Sequence, residues 1–221
     1  MIGLQKAAKA DSKSIVNWEI GESAAILKGI HQKDVNIAIY ERDINDLRSE
    51  INHLIEEHIE IRTRGDINDI LNEVKTVTNL DNDSLIIQDI EELISHFAEV
   101  TKAKNFRLLL ATINTNMCRR FHTDINDVRL LCTYSGPGTL WLTDDNINTK
   151  ALNNFGDNER IVIEEDKVQQ AKRGAVVLLK GAVYPQKGTK AIVHRSPTIE
   201  ESGEKRLLLR IDTNDASILW T

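Results

Sequence analysis

Apolar positions along this chain keep a helical period up to about residue 104 and a strand-like spacing beyond it. Before that point three stripes recur at intervals of three or four. They are Ile44, Leu47, Ile51, Leu54 and Ile55; Ile67, Ile70, Leu71, Val74 and Val77; and Ile86, Ile90, Leu93, Ile94, Phe97 and Val100. This spacing puts each set on one side of an amphipathic helix. Residues able to cap a helix start precede each stripe: Asp43, Asp66, and the cluster Asp81, Asp83 and Ser84. A short strand over 35–40 is predicted ahead of them.

Beyond residue 104 the pattern predicts strands over 106–113, 129–134, 139–142, 160–163, 175–179, 191–194 and 206–211. These runs are short, rich in Val, Ile and Leu, and separated by Gly, Pro, Asn and Asp. Seven or so such strands suggest a sandwich or jelly roll. The expected architecture is therefore α+β. A double-stranded β-helix (jelly roll) occupies 105–221, and an N-terminal helical layer, 1–104, packs on one of its faces. The two form one integrated domain.

Composition narrows the function classes. In 221 residues, 41% are apolar and 28% charged, which suits a soluble globular chain and not a disordered one. No apolar run approaches the roughly 18 residues that span a bilayer, and residues 1–14 lack the apolar stretch of a secretory signal. The expectation is a cytoplasmic protein with no membrane partner. A net charge of −6 disfavours nucleic acid as the main partner, and the pair Lys172-Arg173 is too short a basic strip to alter that. Cys118 and Cys132 are too few for a structural zinc site and read as small buried apolar residues.

The chemistry concentrates in Phe121-His122-Thr123-Asp124. A His-x-acid pair is weak evidence alone: six histidines among 34 acidic residues give about one by chance. His58-Ile59-Glu60 is another such pair, and it falls at the end of a predicted helix, where positions two apart diverge. His122 and Asp124 lie in extended chain, where positions two apart share a face. Outside the helical half the only other histidine is His194, which closes the predicted strand 191–194. By itself it reads as a hydrogen-bonded core histidine. Together with His122 and Asp124 it completes two histidines and a carboxylate, the donor set of non-haem Fe(II) sites. Affinity order does not favour Fe(II) over zinc, so a divalent-metal-binding protein without turnover, zinc-bound among other options, is the competing reading. A metal-dependent isomerase or hydrolase on a cupin-like sandwich is a third.

Two neutral imidazoles and one carboxylate around a divalent ion leave a charge of about +1, which attracts an anionic co-substrate. Such a molecule needs a cation at its far end. Arg206 and Arg210 share a strand face four residues apart, roughly 13 Å, so both cannot serve one small carboxylate. Other features read plainly. Gly136-Pro137-Gly138 is a turn and not a phosphate loop, since the Gly-Lys-Ser/Thr signature is missing. Ser196 has no nearby His–Asp relay. Trp141 is core or pocket lining. A zinc pair of Cys118 and His122 requires a helix that the strand signal opposes.

The run His122-x-Asp124, Arg129-Leu130-Leu131-Cys132-Thr133-Tyr134, the Gly-flanked strand 174–181, Val193-His194 and Gly203-Glu204-Lys205-Arg206 resembles the prolyl-hydroxylase-type 2-oxoglutarate- and Fe(II)-dependent oxygenases. A closer resemblance, spanning nearly the whole chain, rests on five segments. These are Met117-Cys118-Arg119-Arg120-Phe121-His122-Thr123-Asp124, Tyr134 to Leu142, Leu179-Lys180-Gly181, His194-Arg195-Ser196-Pro197 and Arg206-Leu207-Leu208-Leu209. Together they are similar to the bacterial family catalogued as domain of unknown function 1826. The oxygenase resemblance implies metal ligands His122, Asp124 and His194, Fe(II) as cofactor, and 2-oxoglutarate as co-substrate with its carboxylate on Arg206. It further implies C–H oxidation of a small molecule or peptide. Tyr134, Arg129, Trp141 and Arg210 are candidate pocket residues, and for Arg129 a surface pair with Asp127 is the alternative.

Overall fold

The computed structural model describes residues 16–214, so the expectation for residues 1–14 falls outside the described residues. Ten strands form two sheets. The larger has seven, in the order β1 (Trp18–Gly21), β2 (Ile37–Tyr40), β8 (Val176–Lys180), β5 (Val128–Ser135), β10 (Arg206–Thr213), β4 (Phe106–Ile113) and β3 (Glu60–Gly65). Only the β1–β2 pairing is parallel. The smaller sheet pairs β7 (Gln169–Gln170), β6 (Leu140–Trp141) and β9 (His194–Arg195), and His122 joins it by an antiparallel bridge to His194. The helices are α1 (Arg48–Glu56), α2 (Ile67–Thr78), α3 (Leu85–Thr101) and the short α4 (Thr149–Asn153) and α5 (Asn158–Ile161).

The division at residue 104 is less clean than the hydrophobic period suggests, because β1, β2 and β3 come from the first half and complete the large sheet at both edges. Period two divides the faces of that sheet. Leu108, Leu110, Leu130, Cys132, Leu207, Leu209 and Ile211 point to one side and share a core with Ile51, Leu54, Ile70, Val74, Ile90, Leu93 and Phe97 of α1 to α3. Leu109, Ala111, Leu131, Val177, Leu179 and Leu208 point to the other side and pack against Trp141 and Ile192 of the small-sheet layer. The space between the sheets is therefore lined from both.

Caps account for the helix starts. Asp66 and Asp69 form a reciprocal capping box on α2. Asp43 caps only a local turn, accepting from the Asn45 N–H at 2.9 Å, and α1 begins after a 3₁₀ turn at Asn45–Leu47. The α3 terminus is capped from a distance: Glu50 accepts the N–H groups of Leu85 at 3.1 Å and Ile86 at 2.8 Å, and Ser84 donates its hydroxyl to the same carboxylate. Val77, placed in the second stripe, is 49% exposed, and Thr78 takes the buried position.

Other expectations need correction. Residues 160–163 are not a strand: α5 turns through Ile161 and only Val162 bridges to Ile147. A four-residue apolar run carries no period that separates the two states. Of 191–194 only His194 pairs as strand, continuing into Arg195. His58 stands exposed at the end of a helix, as the pattern predicts, but Glu60 does not. α1 stops at Glu56, His58 turns the chain with φ 51°, and Glu60 opens edge strand β3. Cys132 is buried as expected, but Cys118 is exposed. No helix of the described residues is long and apolar enough to cross a membrane.

Candidate metal centre

His122 and His194 face each other across a hydrogen-bonded antiparallel pair, His122 N–H to His194 O at 3.0 Å and the reverse at 2.9 Å. Directly opposed residues in such a pair project from the same face. Their rings stand with centroids 4.7 Å apart. His194 also pairs in register with Trp141, whose ring belongs to the inter-sheet core, so both imidazoles face that space.

Asp124 follows two residues later, and its backbone is tied down. Its carbonyl accepts from Ala182 N–H at 2.8 Å, while Gly181 N–H donates to Asp127 O at 2.7 Å. Only glycine fits at position 181, since a Cβ there would lie 2.1 Å from the Asn126 carbonyl oxygen. Asp124 Oδ1 lies 3.6 Å from His122 Nε2 and Oδ2 lies 3.4 Å from His194 Nε2. One donor atom from each of the three residues falls within 4.8 Å of the others, and among the described residues this is the cluster that could hold a metal ion. Ligand bonds of about 2 Å place neighbouring donors about 3 Å apart, so a modest inward movement closes the set.

The far ring nitrogens set the tautomer. His122 Nδ1 sits 2.8 Å from Arg120 O and His194 Nδ1 sits 3.4 Å from Ile192 O. A carbonyl only accepts, so each Nδ1 donates to its carbonyl, and Nε2 is the nitrogen each ring would offer to a metal. Burial alone would raise the Asp124 carboxyl, but its contacts with His122 and His194, helped by Arg129, hold it well below the usual carboxylate range. The same carboxylate raises His122 above the ordinary histidine value. Three donors with this charge fit a divalent cation.

Arg129 lies at this centre and makes no pair with Asp127. Its Nη1 donates to Asp124 Oδ2 at 2.6 Å, while Nε and Nη2 grip Asp212 at 2.7 and 3.2 Å. Asp212 went unnoticed in the sequence, although it shares a strand face with Arg206 and Arg210. Arg210 Nε is 3.3 Å from Asp212 Oδ2 but out of line for a hydrogen bond. Among the described residues Arg206 pairs with no carboxylate. It is 1% exposed, its Nη2 donates to Thr133 Oγ1 at 3.1 Å, and its Nε has no partner. Burial pushes its pKa down to about 10. Gly136, at φ +79°, lets the Arg206 stem approach: a Cβ there would be 2.7 Å from Arg206 Cγ.

Tyr134 must be withdrawn from the pocket. It belongs to the helix-side core, where its hydroxyl donates to Asp89 Oδ2 at 2.6 Å beside the Arg42–Asp89 ion pair. Arg129 and Tyr134 are five apart on one strand, so they cannot share a face. Thr133 holds the position on the metal side. Trp141 lines the inter-sheet core and packs 5.6 Å from Trp18.

These features define a two-sheet α+β protein with one candidate mononuclear metal site between the sheets. The chain belongs to the family described as protein of unknown function (DUF1826), whose model matches residues 21–212. No curated protein matches the sequence. Among solved structures it is similar to the dioxygenase for auxin oxidation 1 from Arabidopsis thaliana in its 2-oxoglutarate binary complex. That likeness has 8% identity, covers 90% of this chain and 92% of that one, and has a TM-score of 0.50. A prolyl-4-hydroxylase from Pseudomonas putida matches at 10% identity, 86% and 93% coverage and a TM-score of 0.48. At such identities the first of these speaks for a shared fold alone.

Proposed function

We propose that this protein is an Fe(II)- and 2-oxoglutarate-dependent oxygenase built on a double-stranded β-helix. From β4 onward the chain alternates between the sheets in the manner of a jelly roll. β4, β5, β8 and β10 lie in the large sheet, and His122, β6, β7 and β9 in the small one. The observation that carries the functional reading is the pairing of the His122–Asp124–His194 cluster with a buried, uncompensated guanidinium, Arg206, in the same inter-sheet space.

Iron bound with 2-oxoglutarate supplies oxidative decarboxylation of the co-substrate coupled to oxidation of a C–H bond. The protein's residues do the rest. His122 and His194 would offer Nε2, and Asp124 one carboxylate oxygen, leaving open coordination positions for the co-substrate. Arg129 holds the other Asp124 oxygen, which keeps that ligand from swinging. Arg206, with the Thr133 hydroxyl, would bind the distal carboxylate of 2-oxoglutarate in a charge-assisted pair. Leu131, Leu208, Ile192 and Trp141 make the walls apolar and exclude water.

Anaerobic addition of Fe(II) and then 2-oxoglutarate tests this reading. The expected results are a weak visible charge-transfer band and, on admitting air, succinate formation. Protein that purifies with zinc, gives no band with Fe(II) and forms no succinate would instead be a metal-binding protein of the same fold.

A further inference from the structure

A row of charged side chains crosses the large sheet beside the metal cluster. Arg64 of β3 is directly opposite Arg107 of β4, Arg107 opposite Asp212 of β10, and Asp212 opposite Arg129 of β5. In the next row on the same face, Arg62 and Arg210 flank Leu109. Strands lie about 4.8 Å apart, so the strip runs roughly 15 Å from Arg129, in contact with Asp124, to the β3 edge. Arg62, Arg64 and Arg107 are exposed there.

The strip holds more cation than it neutralises. Asp212 is gripped by two nitrogens of Arg129, and Glu60 pairs with Arg62 at 2.7 Å. Among the described residues Arg64 and Arg107 have no ion pair, and Arg107 reaches only the Thr213 carbonyl at 3.4 Å. Arg210 shares Asp212 and leaves a buried Nε without a hydrogen bond. Burial, with the charges of Arg129 and Arg62 nearby, holds Arg210 below its ordinary value although Asp212 and Asp124 oppose this. Like charges placed directly opposite across a strand pair destabilise a sheet. Charges on an edge strand guard against aggregation, which accounts for Arg62 and Arg64. It does not account for Arg107 and Arg210 on interior strands of a chain with net charge −6.

We infer that the strip Arg62–Arg64–Arg107–Arg210 binds a phosphate- or diphosphate-bearing end of the substrate, a small molecule whose oxidised carbon reaches the metal cluster. A single carboxylate occupies one guanidinium fork, whereas phosphate oxygens spread over several. The inference rests on the oxygenase reading only for what happens at the metal; the anion site stands on its own geometry.

The test titrates metal-free full-length protein with inorganic pyrophosphate by calorimetry at fixed ionic strength, with malonate and a single-stranded oligonucleotide in parallel. Pyrophosphate should bind, malonate at least tenfold more weakly. The exposed double variant Arg64→Ser/Arg107→Ser should weaken pyrophosphate at least tenfold while Arg206→Met leaves it within twofold. Equal binding by the double variant and the parent, or malonate binding as tightly, overturns the site. An oligonucleotide binding tighter than pyrophosphate overturns the small-molecule source. Mn(II) and 2-oxoglutarate are titrated separately into parent and double variant. Their failure to bind the parent counts against the oxygenase reading alone, and their unchanged binding to the double variant shows that it is folded.

Discussion

Replacing Arg206 by methionine should stabilise the ligand-free protein and at the same time abolish its response to 2-oxoglutarate. The guanidinium is 1% exposed, with one hydrogen bond to Thr133 and a bare Nε. A tenfold change in a proton equilibrium is about 1.4 kcal/mol. Lowering Arg206 from 12.5 to about 10 by burial thus corresponds to roughly 3 kcal/mol for keeping this charge out of water. Methionine keeps much of the apolar stem and gives up the Thr133 bond, worth about 1 kcal/mol. The net expectation is a gain of about 1–3 kcal/mol in the empty protein. With Mn(II) present, 2-oxoglutarate at a hundred times its Kd should add about 2.7 kcal/mol to the parent and close to nothing to the variant. Urea denaturation of both proteins, with and without the pair of ligands, reads both effects. A variant less stable than its parent without ligand would mean that the guanidinium is compensated after all. A variant still stabilised by 2-oxoglutarate would move the carboxylate clamp elsewhere, Arg210 being the alternative on that face.

Three further outcomes follow from groups on the helix side of the sheet. Lys180 Nζ donates to Gln32 O at 2.9 Å and lies 4.6 Å from the Tyr184 ring centre, and burial lowers its pKa to about 8. Between that value and the ordinary 10.5 the unfolded chain binds more protons than the folded one, so stability rises with pH across this window. Lys180→Met should remove the rise and add on the order of 1–3 kcal/mol at pH 7; urea midpoints of parent and variant that stay parallel from pH 8 to 10.5 refute it. Asp89→Ala should cost about 3–5 kcal/mol, because it leaves the largely buried Arg42 guanidinium without its carboxylate partner. Tyr134→Phe should cost only about 1 kcal/mol. Neither should change Mn(II) or 2-oxoglutarate affinity more than twofold, and a large loss in Tyr134→Phe would return that residue to the pocket.

The long periodic stretches were legible in the chain because seventeen residues of α3 repeat one apolar face, and its buried set includes Ile86, Ile90, Leu93, Ile94, Phe97 and Val100. β3 was not, since Ile61 is its only large apolar residue among Glu60, Arg62 and Arg64, and a strand read from that pattern needs a partner the local sequence does not show. The metal cluster was readable from one His-x-Asp and the lone downstream histidine. Its support was not. The grip of Arg129 on Asp212 spans 83 residues, and the cap of α3 by Glu50 spans 35 or more. Thr133, however, lay within reach of the sequence, since period two from Arg129 selects it and excludes Tyr134.

Arg129 and Arg206, both facing the space between the sheets, differ in what surrounds them, and that difference suggests their work. Arg129 is partly buried between Asp124 and Asp212; burial opposes its charge, but both carboxylates favour it, and its pKa is raised. Each of its three nitrogens already donates to one of these carboxylates, so it serves to hold Asp124. Arg206 meets no carboxylate and its pKa is lowered. A buried cation without a counter-charge is costly, and the acidic side chain on its own strand face, Asp212, is six residues away, roughly 20 Å. Among the described residues no carboxylate pairs with it, so on the proposed reading the completing anion is a ligand that fits beside an apolar wall, at a strand-length remove from Asp124. A short dicarboxylate whose other end can reach the open positions beside His122 and His194 meets that requirement. A neutral substrate cannot.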